Sequence, residues 1–339
     1  KNKKMKTYII AEVGPNHNGS VDIAIEYIEA LATIGVDAVK FQLAKPESLY
    51  SKDAVFADYQ KKNINFKSPI EMSKKYQLSY EEHKILYDNC IKNNIQYLCS
   101  AFDLESIKFL NNNFNLPYFK IGSGEIFSLD IINYISEQKT PIILSTGYAS
   151  FDEIKISIDL FNQNFKKDIT ILHCISRYPT PVESVNLKVM LELKNRFMYP
   201  VGFSDHTINN DCAIAAVAMG ASIIEKHVTF DKDQEGPDHR ASITIAEFEN
   251  LVKSIRNVEM ALGHSTKKVS EEEYEVAKFA RKSIVSNKNI SSGEVISKDM
   301  ICYKRPGTGF LPTHLDKVVG KKAKKSIRIN RIINKSDII

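Results

Sequence analysis

Eight short runs rich in β-branched and aliphatic residues recur along the first two-thirds of this chain, at residues 7–13, 38–43, 96–102, 118–123, 141–146, 169–176, 201–206 and 223–229. Each ends in polar residues, and the segments between them carry apolar residues at helical spacing. Strand alternating with helix means a parallel sheet. With eight strands, the economical solution is a closed (β/α)8 barrel, an α/β fold of the TIM-barrel type. An open doubly wound sheet is the alternative, but the Gly-rich turn it needs after the first strand is missing, since Asn16-His17-Asn18-Gly19 is not that turn.

Helix punctuation agrees with this reading. Ser20 caps a helix carrying Ile25, Ile28 and Leu31 on one face. Thr244 and Glu247 form a capping box before a helix with Phe248, Leu251, Val252, Ile255, Val258 and Leu262 largely at three- and four-residue steps, and Gly263 stops it. The long polar connection from Ala44 to Glu81 reads as a loop over the catalytic face with a helix near its end. The barrel domain is thus expected over 1–263. A polar linker with some helix around 272–280 occupies 264–282, and a small β-rich domain follows over 283–339. A domain that small has little core of its own and is expected to lean on something larger.

Composition narrows the class. At 339 residues, 43% hydrophobic and 26% charged, the chain is ordinary globular material. Its formal net charge of +5 is too weak to demand a nucleic acid. The basic run Lys321-Lys322-x-Lys324-Lys325 lacks interleaved aromatics and reads as a solvated face, so no nucleic-acid partner is expected. The five cysteines form no C-x-x-C pair and read as reduced thiols. Neither a signal-peptide core nor a bilayer-length apolar run is seen, so no membrane association and a cytoplasmic location are expected.

In a barrel, chemistry collects where strands end. Those ends supply Glu12, Lys40 with Gln42, Ser100, Lys120 with Ser123, Ser145, Ser176 with Tyr178, Ser204 with His206, and Glu225 with His227. Residues two apart on a strand share a face, so several pairs aim into one cavity. His206 and His227 end adjacent strands and suit a divalent cation, although each could instead cap its strand through a backbone hydrogen bond. Lys40 and Lys120 suit an anion, or structural pairing with Glu12, Glu125 or Glu225. Arg305, before Pro306-Gly307, sits on a stiff turn able to present a guanidinium to an anion, or on a plain exposed turn.

These residues fall within longer matches. Ala11-Glu12-x-Gly14-x-Asn16-His17-x-Gly19, Val39-Lys40-x-Gln42, Lys120-Ile121-Gly122-Ser123-Gly124-Glu125 and Leu144-Ser145-Thr146-Gly147 come first. Tyr178-Pro179-Thr180-Pro181, Gly202-x-Ser204-Asp205-His206-Thr207, Glu225-Lys226-His227 and Gly236-Pro237-Asp238 follow in order. In this the chain resembles the N-acetylneuraminate (sialic acid) synthase family, which includes legionaminate and pseudaminate synthases. The segment from Ser283, with Lys304-Arg305-Pro306-Gly307, is similar to that family's antifreeze-like (SAF) domain.

The resemblance implies an enzyme that condenses phosphoenolpyruvate with an N-acyl aminohexose, releasing phosphate. It implies a Mn²⁺ or Mg²⁺ ion on His206 and His227, and Lys40, Lys120, Ser123, Ser145 and Ser204 around phosphoenolpyruvate. Glu12 and Tyr178 would hold the sugar near Gln42 and Asp238, with Glu125, Ser176 and Glu225 also in the substrate set. It further implies a homodimer whose C-terminal domains swap, carrying Arg305 into the neighbour's site. Ser176 stands where relatives using N-acetylmannosamine often carry Asn, and the 45–67 loop differs from theirs. The intact Gly236-Pro237-Asp238 argues against a pseudaminate synthase. N-acetylmannosamine is therefore the expected sugar, with the 2,4-diacetamido-2,4,6-trideoxy sugar of legionaminate synthesis as the alternative. Rival readings are an inactive sugar-binding barrel and an aldolase using Lys120 as a Schiff base.

Overall fold

The computed structural model describes residues 6–55 and 66–339; the basic start at 1–5 and residues 56–65 of the long connection lie outside the described residues. Eight parallel strands form the first unit: β1 (Tyr8–Glu12), β2 (Ala38–Leu43), β3 (Gln96–Ala101), β4 (Phe119–Ile121), β5 (Ile142–Ser145), β6 (Ile169–Cys174), β7 (Val201–Asp205) and β8 (Ile223–Thr229). They are ordered as in sequence, and β8 pairs back onto β1, closing the barrel. A short β9 (Ile243–Thr244) pairs parallel with the end of β8.

Helices surround the sheet because one face of each is apolar. The helix Val21–Thr33 starts at Ser20, whose hydroxyl accepts the Ile23 amide, and buries Tyr27, Ile28 and Leu31. Burying each of those side chains contributes about 1.5–3 kcal/mol. The helix Ile245–Leu262 opens with the Thr244/Glu247 capping box and ends at Gly263. That glycine is also where the chain divides into two compact units, 1–263 and 264–339.

In the second unit, β10 (Ser283–Ser286) pairs antiparallel with β11 (Ile301–Lys304), and the core comprises Ile284, Ile290, Ile296, Ile301, Val318, Ala323, Ile327 and Ile333. Residues 264–282 belong to this unit and contain the helix Glu271–Ala280. The Gly307 amide donates to the carbonyl of Lys278 at 2.7 Å. All five cysteines are free. Among the described residues no helix is long and apolar enough to cross a membrane.

Candidate active site

Strand alternation builds the barrel interior in two levels. Ile10, Ala38, Leu98, Ile143, Leu172 and Ile223 form one apolar cluster that fills the floor. Two residues further along the same strands stand Glu12, Lys40, Ser100, Ser145, Cys174 and Glu225, which line a cavity of about 560 Å³. The floor excludes water beneath the polar level, so charges there must satisfy one another.

They do so as a ladder. Lys40 Nζ lies 2.8 Å from Glu12 Oε2 and 3.6 Å from Glu225 Oε2. Lys120 Nζ lies 3.6 Å from the other Glu225 oxygen and donates to Ser145 Oγ at 2.8 Å. Lys40 also donates to Ser100 Oγ at 3.2 Å, and Ser204 Oγ to Glu225 Oε1 at 3.0 Å. Burial opposes charge on Lys40, but the Glu12 and Glu225 carboxylates outweigh it and hold the ammonium up at about 12. Burial likewise opposes charge on Glu225, yet the two lysines hold it down at about 2. Burial pushes Glu12 up, with Glu225 adding to the shift and Lys40 resisting it, and burial pulls Lys120 down. Gln42 Nε2 donates to Glu12 Oε1 at 2.7 Å. A Cβ on Gly14 would stand 2.9 Å from that same oxygen, and Gly14 has φ +51°, so a side chain there would strain the backbone and displace Glu12.

Beside the ladder, the rings of His206 and His227 lie 5.6 Å apart, with Tyr178 4.1 Å from the His206 ring. Burial holds His206 down to about 4 and His227 well below its ordinary value, so both are neutral imidazoles. His206 Nδ1 is 2.7 Å from the Ile175 carbonyl, which fixes that nitrogen as the donor and leaves Nε2 with its lone pair. His227 Nδ1 is buried without a hydrogen-bond partner, 3.6 Å from Asp238 Oδ2. Burial pushes Asp238 up to about 7. Two neutral imidazoles with available lone pairs are the donor chemistry of a divalent cation with open positions. Among the described residues no group of three or more His, Cys, Asp or Glu side chains is arranged to hold a metal. The two imidazoles are the nitrogen donors this cavity presents.

Every barrel residue singled out in the sequence lines this one cavity, including Ser123, Glu125 and Ser176. Ser123 Oγ accepts the Gly147 amide at 2.9 Å. Glu125 accepts a hydrogen bond from Ser128. Arg305 belongs to the second unit, where its Nε donates to the Ala280 carbonyl at 2.8 Å. Its turn is held by buried Ser283, whose hydroxyl donates to Pro306 O and accepts from Gly309 N.

Several contributors are absent from the sequence reading of the site. Leu49 and Tyr50, with Met72, Ser73, Tyr76 and Gln77 from around the helix Pro69–Tyr76, also line the cavity. The sequence places this connection over the catalytic face, but no local pattern singles out these residues within it. Asn16 is different. Its Nδ2 donates to Val228 O at 2.8 Å and Ser242 Oγ at 2.9 Å, and Ser242 Oγ donates to Asp238 O at 2.7 Å. Asn16 therefore anchors the loop that carries Asp238, and its place in the motif after β1 was the available signal.

Residues 27–267 match the sequence profile of the NeuB family, and residues 281–339 match the SAF domain. The chain belongs to the NeuB family. This NeuB-family chain is 41% identical to the N,N'-diacetyllegionaminic acid synthase of Campylobacter jejuni, over 97% of this chain and 99% of that one. It is 39% identical to the enzyme of the same name from Legionella pneumophila, over 94% and 90%. Among solved structures it resembles an N-acetylneuraminic acid (sialic acid) synthetase from Leptospira borgpetersenii in complex with citrate. That match has a TM-score of 0.72 and 28% identity, over 80% of this chain and 90% of that one.

Proposed function

We propose that this protein is a nonulosonic acid synthase, joining phosphoenolpyruvate to an N-acylated aminohexose and water to give a nine-carbon sugar acid and phosphate. The observation that carries the reading is one cavity holding the Lys40 and Lys120 ammonium groups beside the neutral His206 and His227 imidazoles, in a NeuB-family chain. Lys40, Lys120 and the Ser123, Ser145 and Ser204 hydroxyls supply the cationic and donor groups that a carboxylate and a phosphate require. Tyr178, Gln42 and Asp238 stand where a polyhydroxy chain could exchange hydrogen bonds with them.

His206 and His227 would hold a divalent cation, Mn²⁺ or Mg²⁺. When bound it supplies Lewis-acid polarisation of the sugar carbonyl. The third carbon of phosphoenolpyruvate bonds to the sugar aldehyde carbon, water adds at its second carbon, and phosphate leaves with the bridging oxygen. The alkoxide formed at the sugar gains a proton and water loses one. We assign delivery of the alkoxide's proton to Glu12, which burial raises and which accepts a hydrogen bond from Gln42 and pairs with Lys40.

Similarity to two N,N'-diacetyllegionaminic acid synthases supports the diacetamido sugar over N-acetylmannosamine for this chain. A side chain as small as Ser176 on the cavity wall fits a bulkier substrate. The working form is a homodimer in which the partner's SAF domain brings its Arg305 to the barrel. The test is mass spectrometry of the product from bridging-¹⁸O phosphoenolpyruvate with each sugar and Mn²⁺. Expected is a nine-carbon acid with the label in phosphate, fastest with the diacetamido sugar. No condensation product from any acylamino hexose overturns the reading.

A further inference from the structure

Tyr148 combines features that no structural role accounts for. It is 76% exposed yet lines the barrel cavity. Its backbone has φ +64°, a region that a tyrosine rarely enters. Both sides of the turn are pinned. Before it, Thr146 N and Oγ1 donate to Leu172 O at 3.1 and 2.9 Å, and Gly147 N donates to Ser123 Oγ at 2.9 Å. After it, the helix Phe151–Phe161 begins behind the Ser150/Glu153 capping box. The surroundings thus hold Tyr148 in an unfavourable conformation, as happens where a side chain is positioned for use.

What it would be used for follows from its neighbour. A Cβ on Gly147 would stand only 2.0 Å from Ser176 Oγ, so the residue before Tyr148 packs directly against Ser176. Tyr148 and Ser176 line the same cavity, and an aromatic ring with a small hydroxyl in one cavity suits a group with an apolar methyl and a planar amide. The ring covers the methyl and amide face, while the hydroxyl takes an amide hydrogen bond. We propose that Tyr148 is a specificity-determining residue whose ring packs against an acylamino arm of the sugar. This rests on the synthase reading of the same cavity.

The experiment uses the full chain with Mn²⁺, comparing wild type with Tyr148→Phe and Tyr148→Asn, asparagine being a residue that accepts positive φ. Steady-state kinetics with the diacetamido sugar and N-acetylmannosamine, calorimetric sugar binding without phosphoenolpyruvate, and Tm are measured. Tyr148→Phe should retain wild-type KM within about two-fold. Tyr148→Asn should raise sugar KM and Kd roughly ten-fold, leave the phosphoenolpyruvate KM unchanged, and keep or raise Tm because the strain is relieved. A fall in Tm, or sugar KM and Kd unchanged in Tyr148→Asn, overturns the proposal. Wild type that binds the sugar through Tyr148 but makes no product overturns the synthase reading alone. Neither binding nor turnover overturns both.

Discussion

Glu12 and Lys40 are register partners across β1 and β2, and their side chains meet at 2.8 Å with both groups buried. This pair joins the barrel's first two strands at the level where the cavity begins. The next rung, Glu225, serves both lysines.

Breaking the pair from one side leaves a buried carboxylate without its nearest cation. Lys40→Met should therefore cost about 3 kcal/mol in denaturant unfolding. Combining it with Glu12→Gln should restore much of that loss, since the double variant leaves no orphaned charge in the pair. Activity should stay low in Lys40→Met, in Glu12→Gln alone and in the double variant. Strictly additive stability losses would show that the two side chains do not interact.

His206 and His227 are the nitrogen ligands expected for the cation. His227→Ala should abolish turnover and weaken Mn²⁺ binding at least ten-fold in a direct titration, while circular dichroism shows the barrel folded. Unchanged Mn²⁺ affinity in the His206→Ala, His227→Ala double variant would refute the assignment.

Arg305 is exposed, and one of its nitrogens is already committed to the Ala280 carbonyl, which fixes the guanidinium on its turn. Charge-assisted bonds from its remaining nitrogens contribute on the order of 1.5–3 kcal/mol. Arg305→Ala should thus lose about ten- to a hundred-fold in kcat/KM without unfolding. If it serves the partner's barrel, co-expressing Arg305→Ala with Glu12→Ala yields mixed dimers with one complete site, and activity returns. Doubly tagged mixed dimers no more active than either parent would rule out service in trans.

His83 makes a pH prediction. It is fully buried, Nδ1 lies 2.6 Å from the Tyr97 hydroxyl, and burial lowers its pKa from 6.5 to about 3. The unfolded chain takes up this proton below pH 6.5 and the native one does not. Its contribution to stability is therefore complete above pH 6.5 and declines as pH falls toward 3. Between pH 6.5 and 5 the loss from this group is about 2 kcal/mol. His83→Gln should flatten stability against pH across that window by about one proton. His17, held at about 4, keeps the variant's slope above zero. An unaltered slope would mean that His83 already titrates normally in the folded protein.

The sequence alone determined the strand count, the polar residue ending each strand and the helix caps. These are local properties: two-residue alternation sets which side chains share a face, and a capping box spans four residues. From two-residue spacing the sequence put Lys40 with Gln42, and Glu225 with His227, into one cavity. It left open whether Lys40 and Lys120 pair with carboxylates and whether the histidines merely cap strands. Tertiary structure decided that Glu225 stands between both lysines, because that needs β8 to close onto β1 in one register. It also decided that Asn16 anchors the Asp238 loop across more than two hundred residues of chain, that Tyr76 and Gln77 reach the mouth, and that Tyr148 is held at positive φ. Those relationships depend on where distant segments meet, and barrel closure, not local spacing, sets that.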